Sequence, residues 1–276
     1  MLGAVRNLRP FRGESPGCHT ETRMIRFTTL LLALLTGITF PLAAQNQQAA
    51  GRSVRVPFVG CKADGQGGPK DAPTGKPIDI VLPADLSGNF AYYKGEDGFG
   101  VLGPKGWNCF QIYGPNGGSL FVTPEPIGPE KFFSDAPTGF SGPAIQLSIA
   151  TGDTSGRFEV ARVIARVFPQ RQSFVRRLIN AHDGLLSNSD VVYGPYKSDK
   201  LVRPDRNTVE FQTPANIDGL GTMSRLLKNT QPIAGVVVLT GETPDAVQLS
   251  IRLKPDQASL APYIIHRLER EVRSTK

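Results

Sequence analysis

Ile233-Ala234-Gly235-Val236-Val237-Val238-Leu239-Thr240, then Gly241-Glu242-Thr243-Pro244-Asp245, then Val247-Gln248-Leu249-Ser250-Ile251-Arg252-Leu253-Lys254, is the stretch that decides the fold. The first run is continuously apolar and reads as a central strand of a sheet. The Gly, Thr, Pro and Asp that follow are turn chemistry. In the last run Val247, Leu249, Ile251 and Leu253 alternate with Gln248, Ser250, Arg252 and Lys254. That period of two marks a half-buried strand pairing back antiparallel on the first.

Helical patterns surround this hairpin. Arg157 to Phe168 is apolar nearly all round, with Glu159, Arg162 and Arg166 at i, i+3 and i+7. It reads as a mostly buried helix that Pro169 ends. Gln172 to Ala181 is amphipathic, with Phe174, Val175, Leu178 and Ile179 on one side. Gly219 to Asn229 and Gln257 to Arg273 read as further helices.

Further upstream, residues 61–145 hold 27 of the 53 Gly and Pro residues, a density that forbids long helices and punctuates short strands. Strands are predicted at Arg52 to Val59, Ile78 to Leu82, Phe90 to Lys94, Phe99 to Leu102, Asn108 to Tyr113 and Ser119 to Thr123. Gly114-Pro115-Asn116-Gly117-Gly118 is a strong turn signal, and Ala63 to Lys76 reads as a mobile loop. The pentapeptide Asp71-Ala72-Pro73-Thr74-Gly75 recurs at Asp135-Ala136-Pro137-Thr138-Gly139, and both precede a Pro and an apolar strand. Nothing outside the pentapeptide repeats, so this is one turn chemistry used twice rather than a duplication. The fold class is α+β: a Gly/Pro-rich antiparallel β region over 45–142, then a mixed helix and antiparallel-strand region over 143–276, packed as one unit.

The N-terminus predicts the compartment. Arg23 and Arg26 flank Met24, an apolar run follows around Leu30 to Leu35, and small residues close it at Ala43-Ala44. This is the pattern of a secretory signal peptide cleaved after Ala44, with a periplasmic or secreted destination. Residues 1–23 match no targeting pattern. An uncleaved anchor is the alternative, but Phe27 to Ala44 is interrupted by Thr28, Thr29, Thr36, Gly37, Thr39 and Pro41 and is short for a span. No transmembrane span is expected in the mature chain.

Removing residues 1–44 takes five Arg and two Glu from 31 basic and 24 acidic residues, leaving a net charge of about +4. That is too mild to call for nucleic acid as a partner. Two cysteines remain, Cys61 and Cys109, an even number in an oxidising compartment and so a predicted disulfide. The competing reading, a nucleophilic Cys109, is disfavoured by its neighbours Trp107 and Phe110 and by the lack of a nearby cation.

The search for chemistry mostly eliminates. Gly98-Phe99-Gly100-Val101-Leu102-Gly103 matches a dinucleotide pattern, but Pro104, Lys105 and Gly106 follow, where a helix would have to start. Gly139-Phe140-Ser141-Gly142 meets Pro143 where a nucleophile elbow needs Gly. His182 adjoins Asp183, and neighbours on a helix do not face each other; His266 reads as solvated. No carboxylate cluster stands out, and no metal or cofactor is expected. Arg162, Arg166, Arg171, Arg176 and Arg177 read either as a patch for an anionic surface, such as lipid head groups or acidic glycans, or as an ordinary solvated face. Asp218, Gly219, Gly221 and Thr222 read either as a ligand loop, with a helix N-terminus behind it, or as a plain tight connection.

Val56-Pro57-Phe58-Val59-Gly60-Cys61, Gly106-Trp107-Asn108-Cys109-Phe110, Thr123-Pro124-Glu125-Pro126-Ile127 and Gly219-Leu220-Gly221-Thr222 resemble uncharacterised secreted proteins of Gram-negative bacteria. The resemblance implies periplasmic residence and no assigned activity. The expectation is a non-enzymatic binding or cell-envelope-associated protein, its partner an anionic envelope component or another periplasmic protein. The alternative is a periplasmic hydrolase acting on envelope material.

Overall fold

The decisive hairpin forms at the centre of an eight-stranded sheet. A computed structural model of the chain describes residues 52–134, 139–181 and 185–275, all within one compact unit. The predicted signal segment, His182, Asp183 and most of the second pentapeptide lie outside the described residues.

In chain order the strands are β1 (Arg52–Val56), β2 (Phe58–Gly60), β3 (Lys62–Gly65), β4 (Ile78–Leu82), β5 (Phe90–Lys94) and β6 (Val101–Pro104). Then come β7 (Asn108–Gly114), β8 (Gly117–Thr123) and the short helix α1 (Glu130–Phe133). Beyond these lie β9 (Ala144–Ala150), α2 (Arg157–Val167), α3 (Gln172–Asn180), β10 (Lys200–Asp205) and β11 (Thr208–Thr213). Last are β12 (Ile233–Thr240), β13 (Asp245–Arg252) and α4 (Ala261–Ser274). The large sheet runs β10-β11-β12-β13-β9-β8-β7-β3, with a three-stranded sheet β2-β5-β6 and a ribbon β1-β4. It therefore takes strands from both the Gly/Pro-rich region and the region after it. The class is α+β, mostly β, in mixed and antiparallel sheets.

Several expectations change. Arg52 to Val59 is two strands, because Pro57 has no N–H to continue a ladder and the chain switches there from β4 to β5. Ala63 to Lys76 is not wholly a loop. Lys62–Gly65 pairs parallel to β7, and the chain returns through an Ala63–Lys70 bridge. A Cβ on Gly65 would meet the Tyr113 carbonyl oxygen at 2.0 Å, so only glycine allows this approach. With β2–β5 also parallel, the Gly/Pro-rich region is not purely antiparallel.

Gly219 to Asn229 is not a helix beyond a single 3-10 turn at Leu220–Met223. Its backbone finds better partners elsewhere. Ser224 Oγ donates to Gly221 O (2.6 Å) and accepts from Leu226 N, and Arg225 N donates to Gln146 Oε1 (2.7 Å). Leu227 N then donates to Phe140 O (2.9 Å). Gln257 to Arg273 starts as a 3-10 turn and becomes α-helical at Ala261, where Pro262 suits the first turn.

The sheet is covered on both sides. One face carries Leu120, Val122, Ile145, Leu147, Val236, Val238, Val247, Leu249 and Ile251 under α4 and β5–β6. On the other, α2 and α3 cover Val209, Phe211, Ile233, Val237 and Leu239, while the Phe132 and Phe140 rings pack at a tilt on Phe121. The alternating strand β13 is consequently buried on both faces rather than half-buried. Ser250 and Arg252 are 0 % and 1 % exposed. Among the described residues Arg252 meets no carboxylate: its Nη1 donates to Phe140 O (3.1 Å) and Gly142 O (3.2 Å), and Nη2 donates to Leu227 O. Burial lowers its pKa from the usual guanidinium range. Among the described residues no helix is long and apolar enough to cross a membrane.

Candidate functional site

Between the apolar and aromatic zones of the second sheet face lies a polar band. Its two rows follow from strand register. Ser119 pairs with Ser148 and Ser148 with Gln248; Gln146 pairs with Ser250. Alternation places all five side chains on the face opposite Leu120, Leu147 and Leu249. Beneath α2 they line a cavity of about 220 Å³, walled also by Glu159, Val163, Met223 and Ser224.

The band is internally wired. Ser119 Oγ and Ser148 Oγ are 2.8 Å apart, and Gln146 Nε2 donates to Ser148 Oγ (2.7 Å). Gln248 Nε2 donates to Leu220 O (3.2 Å), which ties the cavity to the 220–227 segment. Among the described residues Ser250 Oγ has no hydrogen-bond partner, although the residue is fully buried. Buried polar groups are ordinarily paired, so an orphan hydroxyl in a polar cavity marks capacity for an occupant. Glu159 is paired with Arg162. Among the described residues no hydroxyl of the band is hydrogen-bonded to a His, Lys or carboxylate side chain, the arrangement that would activate a nucleophile.

The residues singled out from sequence are placed as follows. Cys61 and Cys109 lie with their sulfurs 1.99 Å apart, tying the entry of β3 to β7. Of the arginines, Arg162 is paired with Glu159, and Arg166 packs on the Tyr196 ring (4.0 Å) and donates to Gly194 O. Arg171 donates to Asn207 Oδ1 (3.2 Å), Arg177 sits over Phe174 (5.9 Å) and Arg176 is exposed. Four of the five are thus engaged locally.

In the 218–222 loop Asp218 pairs with exposed Lys228 (2.9 Å). The backbone N–H groups that would serve an anion are taken from within. Leu220 N donates to Asp199 Oδ2 (2.7 Å), Gly221 N to Thr213 Oγ1 (2.9 Å) and Gly219 N to Thr222 Oγ1 (3.0 Å). The glycines let the loop approach its own protein: a Cβ on Gly221 would lie 2.7 Å from Ile233. The reading as a tight connection fits this geometry. Asp199, which organises it, gave no signal in the sequence.

Sequence reasoning also missed Glu210, which β11 brings to His266 and Glu269 on α4, one potential ligand atom of each lying within 4.8 Å of the others. A partner 56 residues away leaves no local pattern to find. His266 itself is exposed, as expected.

Comparison with protein-family models, curated proteins and solved structures finds no match, so function is argued from the geometry.

Proposed function

We propose that this is an exported, non-catalytic protein that binds a small neutral, hydrogen-bonding molecule in the cavity between β8, β9, β13 and α2. The observation that carries the reading is the pair of cross-strand rows, Ser119-Ser148-Gln248 and Gln146-Ser250, converging on one cavity. Hydroxyls and amides offer donors and acceptors without net charge, which suits a polyol or monosaccharide better than an anion. A volume of about 220 Å³ is below the roughly 300–1,000 Å³ of drug-sized pockets and equals about seven waters of liquid volume. Such a space takes one sugar ring, not a chain. Sugars of this size are components of bacterial envelopes, which fits the expectation of an envelope-associated binding protein.

Export is supported by the Met24–Ala44 pattern and by the paired cysteines, which an oxidising compartment preserves. The test uses protein recovered from the periplasm of an expressing bacterium. N-terminal sequencing is expected to begin at Gln45, and native mass spectrometry to retain a neutral small-molecule adduct that Gln248→Leu loses. A chain beginning before residue 45 overturns the processing. An adduct that survives Gln248→Leu and Ser148→Leu overturns the site.

A further inference from the structure

On the opposite side of the sheet, Glu210 rises from β11 beneath α4, where His266 and Glu269 stand one turn apart on the same helical face. Their potential ligand atoms, one from each residue, all lie within 4.8 Å of one another. This is not a solvated acidic surface. Glu269 is 6 % exposed, and its Oε1 has no hydrogen-bond partner among the described residues. Its Oε2 makes one long contact, 3.4 Å, with His266 Nδ1. Burial first, and the Glu210 charge second, push the Glu269 carboxyl above its ordinary range. Arg273, whose positive charge reaches Glu269, is already paired with Asp205 at 3.0 Å. Two carboxylates thus face each other with a shielded, unpartnered oxygen, offset by an exposed imidazole and by the Arg273 charge that Asp205 already engages.

We propose that Glu210, His266 and Glu269 form a binding site for a borderline divalent cation, with zinc the type. The donor set selects the class. One imidazole and two carboxylates suit zinc, cobalt or manganese, whereas magnesium and calcium favour all-oxygen shells and copper(I) favours sulfur. At metal–ligand distances of about 2.0–2.2 Å in a tetrahedron, ligand atoms stand about 3.4 Å apart, so the widest separation in the cluster has to contract by up to about 1.4 Å. The His266 side chain is 55 % exposed and free to make that adjustment. Three protein ligands leave one coordination position open to solvent.

The test uses the full-length, untagged chain stripped with a chelator, then titrated with Zn²⁺ by calorimetry and with Co²⁺ by visible absorption. One ion per chain is expected, with affinity falling at least tenfold in each of Glu210→Gln, His266→Ala and Glu269→Gln. Glu269→Gln keeps size and removes charge, and circular dichroism checks that each variant is folded. Absence of stoichiometric binding overturns the proposal. Binding that survives all three substitutions also overturns it, because another ligand set then holds the ion.

Discussion

Replacing Arg252 by Met removes a buried charge that, among the described residues, only carbonyl oxygens satisfy. The guanidinium joins three backbone sites, Phe140, Gly142 and Leu227, and so ties the 139–143 segment to the strand-like 225–227 segment over the end of β13. Hydrogen bonds from a charged donor contribute about 1.5–3 kcal/mol each, and three are lost. Against that, Met fills most of the same volume and escapes a desolvation cost of several kcal/mol. The net expectation is a loss of about 3 kcal/mol, the orphaned carbonyls outweighing the relieved charge. For a domain of this size that lowers Tm by about 6–12 °C. Urea unfolding followed by the single tryptophan, Trp107, which is buried, measures the change. Hydrogen exchange localises it, since the Leu227 amide, bonded to Phe140 O at 2.9 Å, should exchange faster. A loss under about 1 kcal/mol with unchanged Leu227 protection would refute the reasoning, because it would mean the two segments hold together without the clamp.

Three further outcomes are expected. Replacing Cys61 and Cys109 by Ser opens a loop of 48 residues' separation and should cost about 4 kcal/mol in urea unfolding; a cost below about 1 kcal/mol contradicts the staple. Burial raises the Tyr93 phenol to about 12, while its hydroxyl donates to Pro104 O (2.6 Å) and accepts from Trp107 N (3.0 Å). The native state then holds a proton that the unfolded chain loses near pH 10, so stability should fall as pH rises from about 10 to 12. Tyr93→Phe should be less stable than the parent at pH 8 yet show a shallower alkaline slope; equal slopes would argue against the burial. Asp199→Ala removes the acceptor for Leu220 N and Thr213 Oγ1 and should destabilise by about 2 kcal/mol, with faster amide exchange at Leu220. Unchanged exchange there would show that the 218–222 loop is held by other groups.

What could be read from sequence was local. Ile78–Leu82 and Phe90–Lys94 emerge with the predicted limits, because Gly and Pro bound short apolar runs on either side. The 233–254 hairpin emerges too, because its apolar runs and turn residues agree. Its second face did not. Gln248, Ser250 and Arg252 look solvent-facing by composition, and only the placement of α2 and the 220–227 segment buries them. The same long-range packing assembles the polar cavity: Ser119, Ser148 and Gln248 come from three strands, and no window of sequence contains them all. The helix expected at Gly219–Asn229 fails because Gln146, Phe140 and Arg252, all distant in sequence, take its backbone groups. Glu210 joins His266 and Glu269 in the same way.

The central claim, a neutral-ligand cavity on the polar band, is tested most directly by differential thermal unfolding of the purified full-length chain with a panel of neutral monosaccharides and polyols, alongside Ser148→Leu, which fills the cavity floor. At a ligand concentration 100 times Kd the stabilisation is about 2.7 kcal/mol, a rise in Tm of about 5–11 °C. The account predicts such a rise for at least one member of the panel in the parent chain and none in folded Ser148→Leu; no rise with any member, or an equal rise in both proteins, contradicts it.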